Sequence, residues 1–189
     1  MKKRIIYLVL PPSMYVTLVY SLIKFFKLGY YIAGFLIAYF IPPAGKESII
    51  PLMITFLKFK GFNGFTAVTS SVALITATDA ITAFFVIWNF DLILLIPKIG
   101  EVLKKLETKA KNFIDKYNLS KKTYFGLFVF VFIPFQGTGT TTAGVIGRIL
   151  GLEKTKLFIT IVCASFSSSL FIALMSNYLS NFIFPRPLS

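Results

Sequence analysis

Three apolar stretches, each long enough to cross a lipid bilayer, constrain this chain more than any other feature. They cover residues 5–26, 65–90 and 157–184. A spanning helix needs about 20 apolar residues, so each stretch predicts one transmembrane helix. The composition agrees, because 14% of the residues are charged, whereas a water-soluble domain carries about 25%. The sequence therefore predicts an all-α polytopic membrane protein that forms a single membrane domain over residues 1–189.

Two further apolar regions are too short to cross the bilayer in one piece. Residues 30–58 contain two apolar pieces around a polar turn. Residues 124–133 and 143–152 are two further apolar pieces, and they lie on either side of a second polar turn. At 1.5 Å per residue each piece covers about half of a roughly 30 Å hydrocarbon core. Backbone breaks at that depth are tolerated only where protein or a watery cavity surrounds them. Both regions therefore predict re-entrant helical hairpins.

Charge decides how the first broken region is placed. Residues 98–122 contain eight lysines and three acidic residues, and residues 1–4 contain three basic residues. Basic segments beside spans stay in the cytoplasm, so an even number of crossings must separate these two segments. Two full spans and a hairpin that returns to its own side meet this condition, whereas a complete crossing at residues 30–58 does not. We therefore expect a multi-pass protein of the cell (plasma) membrane with a cytoplasmic N-terminus.

The basic segment has the period of a one-sided helix. Its apolar residues recur every three or four positions from Ile99 to Tyr117, which predicts an amphipathic interfacial helix over residues 98–122. On either side of it, residues 1–90 and 123–189 each contain a hairpin followed by a span. Because the two hairpins enter from opposite faces, this order indicates an inverted repeat. Secondary transporters recurrently use that plan, with substrate sites where broken helices meet.

The turn of the second hairpin offers several groups that could bind an anion. Backbone N–H groups and the dipole at a helix N-terminus attract a phosphate or carboxylate, and hydroxyl groups add donors. The alternative is that the glycines only form a tight turn and the threonines bind their own backbone. The candidate binding residues here are Gln136, Gly137, Thr138, Gly139 and Thr140.

Four ionisable residues lie at predicted membrane depth. Lys46 and Glu47 stand at the first turn, Asp79 in mid-span and Arg148 in the second broken region. Such residues are costly in lipid, so they usually face the protein interior and take part in function. We expect Arg148 to pair with Glu47 or Asp79, unless its side chain reaches the inner surface near Glu153. The carboxylates could also bind and release a coupling proton or sodium ion.

Several chemistries are excluded by what the sequence lacks. With no histidine and one cysteine, the chain can form neither an intramolecular disulfide nor a His/Cys zinc site. No nucleophile and base pair is visible, so we expect no enzyme, no metal and no cofactor beyond a coupling H⁺ or Na⁺. The basic residues behind the net charge of +13 are distributed as the predicted membrane topology requires. This distribution favours membrane lipids as partners over nucleic acid. Three spans shield two hairpins incompletely, which is consistent with a homodimer.

Three segments carry a resemblance to a known family. Residues 130–139 read FVFIPFQGTG, residues 143–152 read AGVIGRILGL, and residues 45–51 read GKESIIP. Together they resemble the signature region of the small multidrug export family, which is similar to the wider DedA-like (VTT) superfamily. The resemblance implies two opposed re-entrant hairpins with acidic and basic residues at their tips. It also implies a role in transport or lipid translocation.

The chain departs from these family patterns at two places. Gln136 stands where the small-export pattern usually has a second proline, which suggests a reshaped turn. Val131 and Gly137 occupy the places of the arginines that flank the core of the DedA-like pattern. Arg148 does not match those arginines residue by residue, so the resemblance does not carry phosphate-carrier specificity to this chain.

The sequence thus leads to a transporter or lipid translocase that works by alternating access or a gated lipid pathway. The expected substrate is amphipathic and anionic, such as a lipid phosphate. One alternative is a small-molecule or cation exporter, for which neutralising Asp79 would abolish binding while Arg148→Ala would not. Another is a non-transporting membrane assembly factor, for which the same substitutions would cause loss of fold.

Overall fold

The structure is a computed structural model that describes residues 2–41, 44–93, 120–133 and 139–183. Within these ranges it contains helices and no strand, which confirms the all-α prediction. The helices are α1 (Lys2–Phe25), α2 (Gly29–Ala38), α3 (Lys46–Phe59), α4 (Gly64–Ile93), α5 (Ser120–Phe132), α6 (Thr140–Ile149) and α7 (Lys154–Ile183).

Three of these helices are long and apolar enough to cross a membrane. The qualifying stretches are Ile6–Phe25 in α1, Gly64–Leu92 in α4 and Lys154–Ser180 in α7. They coincide with the three spans predicted from the sequence. α1 runs through Pro11 and Pro12 as one helix, and it ends near Phe25 as expected.

The other four helices are short and lie on either side of the two predicted breaks. α2 and α6 have 10 residues each, α5 has 13 and α3 has 14. At 1.5 Å per residue, none of them reaches the roughly 30 Å needed to cross the hydrocarbon core. The predicted interfacial helix at residues 98–122 lies outside the described residues, except that Ser120 already begins α5.

The two short helices α3 and α6 end in the same way. Gly61 follows α3 with a φ of 90°, and Gly151 follows α6 with a φ of 70°. In each case the amide after the glycine donates to a carbonyl in the last turn, from Phe62 to Leu57 and from Leu152 to Gly147. This is the Schellman pattern, in which glycine adopts the left-handed conformation that stops a helix. Each turn leads into a helix of 30 residues, α4 or α7.

The helices pack around two apolar cores. The first joins α3 with α2, α4 and one end of α7, and the second joins α5 and α6 with the remaining parts of α4 and α7. α4 and α7 contact each other along both cores. α1 packs on α2 and α4 at the edge, and only 11% of its spanning stretch is buried. The long helices α4 and α7 therefore carry side chains from one core to the other.

Candidate functional site

A buried polar centre lies between the two apolar cores. On α4, Asp79 falls between Ile75 of the first core and Ala83 of the second. On α7, Ser165 falls between Ala164 and Ile172 in the same way. The Asp79 residue is only 2% exposed. A carboxylate buried here contacts neither water nor lipid, so hydrogen-bond donors around it must stabilise its negative charge.

Two hydroxyl groups from other helices supply those donors. The Tyr39 hydroxyl donates to Asp79 Oδ1 at 2.6 Å, and the Ser165 hydroxyl donates to Asp79 Oδ2. Tyr39 directly follows the last residue of α2, where the first break begins. Both carboxylate oxygens are thus hydrogen-bonded, one to the first broken element and the other to the last long helix.

Lys46 connects the first break to the second. It is the first residue of α3 and is 5% exposed, and its Nζ donates to the Val131 carbonyl at 3.3 Å. That carbonyl lies in the last turn of α5, where carbonyl groups lack helical partners and the helix dipole favours a cation. The negative charges of Asp79 and Glu47 also attract Lys46. The buried ammonium group of Lys46 therefore joins the start of α3 to the last turn of α5.

Glu47 lies at the start of α3 and is partly buried. A Cβ added at Gly45 would lie 2.5 Å from the nearer Glu47 carboxylate oxygen, so this carboxylate folds back over the backbone that precedes the helix. A negative charge is favourable at a helix N-terminus. A side chain at position 45 would require the Glu47 carboxylate to move.

The second turn is described only from Gly139 onward. Thr140 is the first residue of α6 and is 3% exposed. Its hydroxyl has no hydrogen-bond partner within the described ranges. Gln136, Gly137 and Thr138 lie outside these ranges. The proposed anion site at this helix N-terminus therefore stays a prediction.

The predicted partner of Arg148 was wrong. Its Nη2 binds Asp91 Oδ1 at 3.1 Å, and Lys154 Nζ binds the other oxygen of Asp91 at 3.1 Å. The guanidinium also lies over the Phe90 ring, 5.5 Å from the centroid. Arg148 is eight residues into α6, about 12 Å from its N-terminus at 1.5 Å per residue, so it is far from the break where Glu47 lies. α4 continues through Ile93 and brings Asp91 to Arg148 instead.

Sequence reasoning missed Tyr39, Ser165 and Asp91. The apolar run that predicts the second span ends at Phe90, one residue before Asp91. The sequence did contain one signal for these partners. Burying the Asp79 carboxylate costs free energy unless hydrogen-bond donors surround it. The antiparallel order of the last two spans would then have made the serines of α7 the first candidates.

The polar centre offers oxygen ligands but no assembled metal site. Asp79 and Ser165 could together coordinate a hard cation such as Na⁺, which prefers carboxylate and hydroxyl oxygens. Among the described residues, no three His, Cys, Asp or Glu side chains gather closely enough to hold a metal ion.

An open groove lies between α1 and α4 at the level of Asp79, although Asp79 itself does not line it. Its volume is about 790 Å³. Ala77 and Ala80, which flank Asp79 on α4, line one wall, and the hydroxyl residues Ser13, Thr17 and Ser21 of α1 line the other. The remaining lining is apolar and contains no charged side chain within the described parts of the chain. Such a groove suits an apolar or amphipathic molecule.

Comparison with known proteins gives one match. The family model described as "Putative small multi-drug export protein" matches residues 49–171, about two thirds of the chain. This range includes Asp79, Ser165 and Arg148, while Tyr39 and Lys46 lie before it. No curated protein and no solved structure matches the chain.

Proposed function

The chain belongs to the small multidrug export family, and from this premise we propose that it is a proton-coupled membrane exporter centred on Asp79. The family match and the three apolar helices support a membrane protein with an export role. The observation that carries the proposal is the buried Asp79 carboxylate, held by Tyr39 and Ser165 in the middle of a 30-residue helix. Intramembrane carboxylates of this kind are typical of ion pathways and proton relays.

The proposed architecture consists of two opposed re-entrant hairpins in an inverted repeat. α2 with α3 forms the first hairpin, and α5 with α6 forms the second. Three features support the repeat: the glycine turns at Gly61 and Gly151, the equal lengths of α4 and α7, and the equal sequence separation from each glycine to the helix that follows. The contact from Lys46 to Val131 supports a meeting of the two hairpins at mid-depth. The resemblance to DedA-like proteins agrees with this plan.

Asp79 is proposed to bind and release the coupling proton. Burial opposes its negative charge, whereas the two hydroxyl donors and Lys46 stabilise that charge. A movement of α3 that draws Lys46 away from Asp79 would therefore favour proton uptake. The pair of Lys46 and Asp79 would thus link a movement of α3 to the protonation of Asp79. Sodium could use the same oxygens and is the alternative coupling ion.

The substrate is proposed to be an amphipathic molecule that enters from the bilayer through the groove between α1 and α4. The groove is open to the side and its described lining is uncharged, so an apolar body can reach the level of Ala77 and Ala80. Arg148 is already paired with Asp91 and is not proposed as the group that binds substrate. This arrangement favours a small-molecule or cationic substrate over an anionic one.

Lipid translocation remains the second candidate, because one observation favours it. The Thr140 hydroxyl, which has no hydrogen-bond partner among the described residues, lies at the N-terminus of α6, where a phosphate headgroup would be stabilised. In this version the acyl chains would occupy the groove.

We also propose the orientation with a cytoplasmic N-terminus in the plasma membrane, and a homodimer remains compatible with it.

The test is transport by purified protein in liposomes with an imposed pH gradient. The probes are a fluorescent lipophilic cation and a fluorescent lipid phosphate. We expect gradient-driven movement of the cation by the wild type and loss of that movement in Asp79→Asn, whose side chain is nearly the same size. Glu153→Gln is the matched control, because this carboxylate is exposed and pairs only with its neighbour Lys156 among described groups.

The outcomes separate the candidates. Movement of the lipid phosphate alone would favour the translocase. Transport of neither probe, together with unfolding of the Asp79→Asn variant, would favour an assembly role. Wild-type rates and gradient dependence in a folded Asp79→Asn would refute the assignment of Asp79.

A further inference from the structure

Seven hydroxyl groups on the described helices are satisfied by their own backbone. They donate to the carbonyl four residues earlier, which is the usual arrangement for Ser and Thr inside a helix. The residues that do so are Thr17, Thr69, Thr78, Thr82, Thr160, Ser167 and Ser176.

Four hydroxyl groups on α4 and α7 break this rule. The hydroxyl oxygens of Ser71, Thr76, Ser168 and Ser169 are buried and have no hydrogen-bond partner anywhere in the described structure. The three serines have 0% exposure. Buried polar groups are rarely left unpaired, and each exception calls for an explanation such as a bound water molecule. Four exceptions on two packed helices call for a common one.

Two contacts fix where these hydroxyl groups lie. Ser165 meets Asp79 at one level, and a Cβ added at Gly64 would meet Asn177 Oδ1 at 2.7 Å at another. α4 and α7 therefore run antiparallel, and moving from Asp79 toward Gly64 on α4 corresponds to moving from Ser165 toward Asn177 on α7. All four unpartnered hydroxyl groups fall between these two levels. Along α4 this region extends over about 12 Å, from Asp79 to Ser71, at 1.5 Å per residue.

The hydroxyl stretch is closed at its far end by apolar packing. Ala67 and Val68 lie beyond Ser71 on α4, and Ile172 and Ala173 lie beyond Ser169 on α7; all four belong to the first core. Past this layer, Lys58 at the end of α3 donates to Asn177 Oδ1 at 3.0 Å and to Ser180 at 2.6 Å. The stretch thus starts at the buried carboxylate and ends just beneath the membrane face that bears the α3–α4 turn.

We propose that this stretch binds a chain of water molecules that delivers protons between Asp79 and the face of the α3–α4 turn. A buried water needs two to four polar partners, and the four hydroxyl groups can each donate and accept. In the transfer, the nearest water gives a proton to Asp79 while it accepts one from the next water, so one proton is gained and nothing else changes.

This inference rests on the proposed proton coupling at Asp79. The other polar groups that face Asp79 are Tyr39 on α2, Lys46 and Glu47 on α3, and Ser165 on α7. Those groups surround the Asp79 carboxylate, whereas the hydroxyl stretch adds a route by which protons reach it. Separation of α4 from α7 at the apolar layer would open that route to the membrane face.

The experiment measures how fast Asp79 becomes protonated after a pH drop, by infrared spectroscopy of the wild-type protein in lipid membranes. The Asp79 carboxyl band is identified as the signal that Asp79→Asn lacks. We expect Ser168→Ala/Ser169→Ala to slow its appearance by about tenfold, the factor that loss of one hydrogen bond makes in a rate, with the final amplitude unchanged. Ser176→Ala is the matched control, because this serine lies on the same helix and binds its own backbone.

An unchanged rate in the double variant would overturn the water chain while leaving the proposed function intact. A wild-type Asp79 that never becomes protonated would overturn both. If the double variant does not fold, Ser71→Ala at the far end of the stretch takes its place with the same expected slowing. The melting temperature gives a second readout, because removing a dry unpaired hydroxyl raises it, whereas removing a water-bound one does not. A higher melting temperature for Ser168→Ala would therefore also refute the proposal.

Discussion

Replacing Asp91 should destabilise the protein far more than replacing Arg148, although the two residues form one ion pair. Asp91 accepts hydrogen bonds from both Arg148 and Lys154 at 3.1 Å. The Arg148 side chain is 11% exposed, whereas the Asp91 side chain is 46% exposed. The difference in exposure decides which partner suffers when the pair is broken, because a buried charge left alone cannot recover its hydration.

The expected magnitudes follow from these exposures. Asp91→Ala leaves the Arg148 guanidinium buried and unpaired, which should cost about 2–3 kcal/mol, the range for a lost hydrogen bond to a charged group. The bond from Lys154 adds little because its side chain is 34% exposed and can return to water. Arg148→Met keeps apolar contact with Phe90 and leaves Asp91 paired with Lys154, so we expect a loss below about 1 kcal/mol.

Thermal unfolding in detergent micelles, followed by Trp88 fluorescence, measures the difference. Trp88 stacks on Phe84 at 4.6 Å and meets the edge of Phe158 at 5.7 Å, so it reports on the α4–α7 interface three residues before Asp91. The melting temperature should fall by about 5–10 °C in Asp91→Ala and by no more than about 4 °C in Arg148→Met. The control is Glu153→Ala, which breaks an ion pair whose side chains are more than half exposed. Equal losses in the Asp91 and Arg148 variants would refute the reasoning.

Two further predictions concern packing and topology. Gly147→Ala should lower stability by about 1–3 kcal/mol in the same unfolding assay, because its Cβ would lie 2.3 Å from Leu157 Cδ1 in a filled core; Gly126→Ala, with nothing within 4 Å, should instead be neutral or stabilising. In a Cys163→Ala background, an impermeant maleimide should label Asn63→Cys and Lys109→Cys from opposite faces of the membrane. Labelling of both from one face would contradict the re-entrant arrangement of α2 and α3.

Much of the helix layout could be predicted from hydropathy, because the length of an apolar run sets whether a helix can cross the bilayer. The three long helices and the four short ones lie where those runs predicted them. Asp79 could also be singled out, since the cost of a carboxylate at mid-depth is visible in the sequence alone.

The partners of the charged residues could not be predicted in the same way. Hydropathy gives the depth of a residue, whereas hydrogen bonding depends on the rotation of each helix about its axis and on where the helix ends. Tyr39 and Ser165 reach Asp79 because of rotation, and Asp91 reaches Arg148 because α4 extends past the apolar run. The choice of Glu47 or Asp79 as the partner of Arg148 failed for that reason.

The long sequence separations around Asp79 have a consequence for biosynthesis. Ser165 follows Asp79 by 86 residues, and Val131 follows Lys46 by 85. When α4 first enters the membrane, the groups that later satisfy Asp79 and Lys46 from α5 and α7 have yet to be translated. A nascent chain halted before α7 would therefore hold an incompletely neutralised carboxylate at mid-depth. Such a truncated product should be retained by the insertion machinery or degraded, so that the earlier helices are released only after α7 has been made.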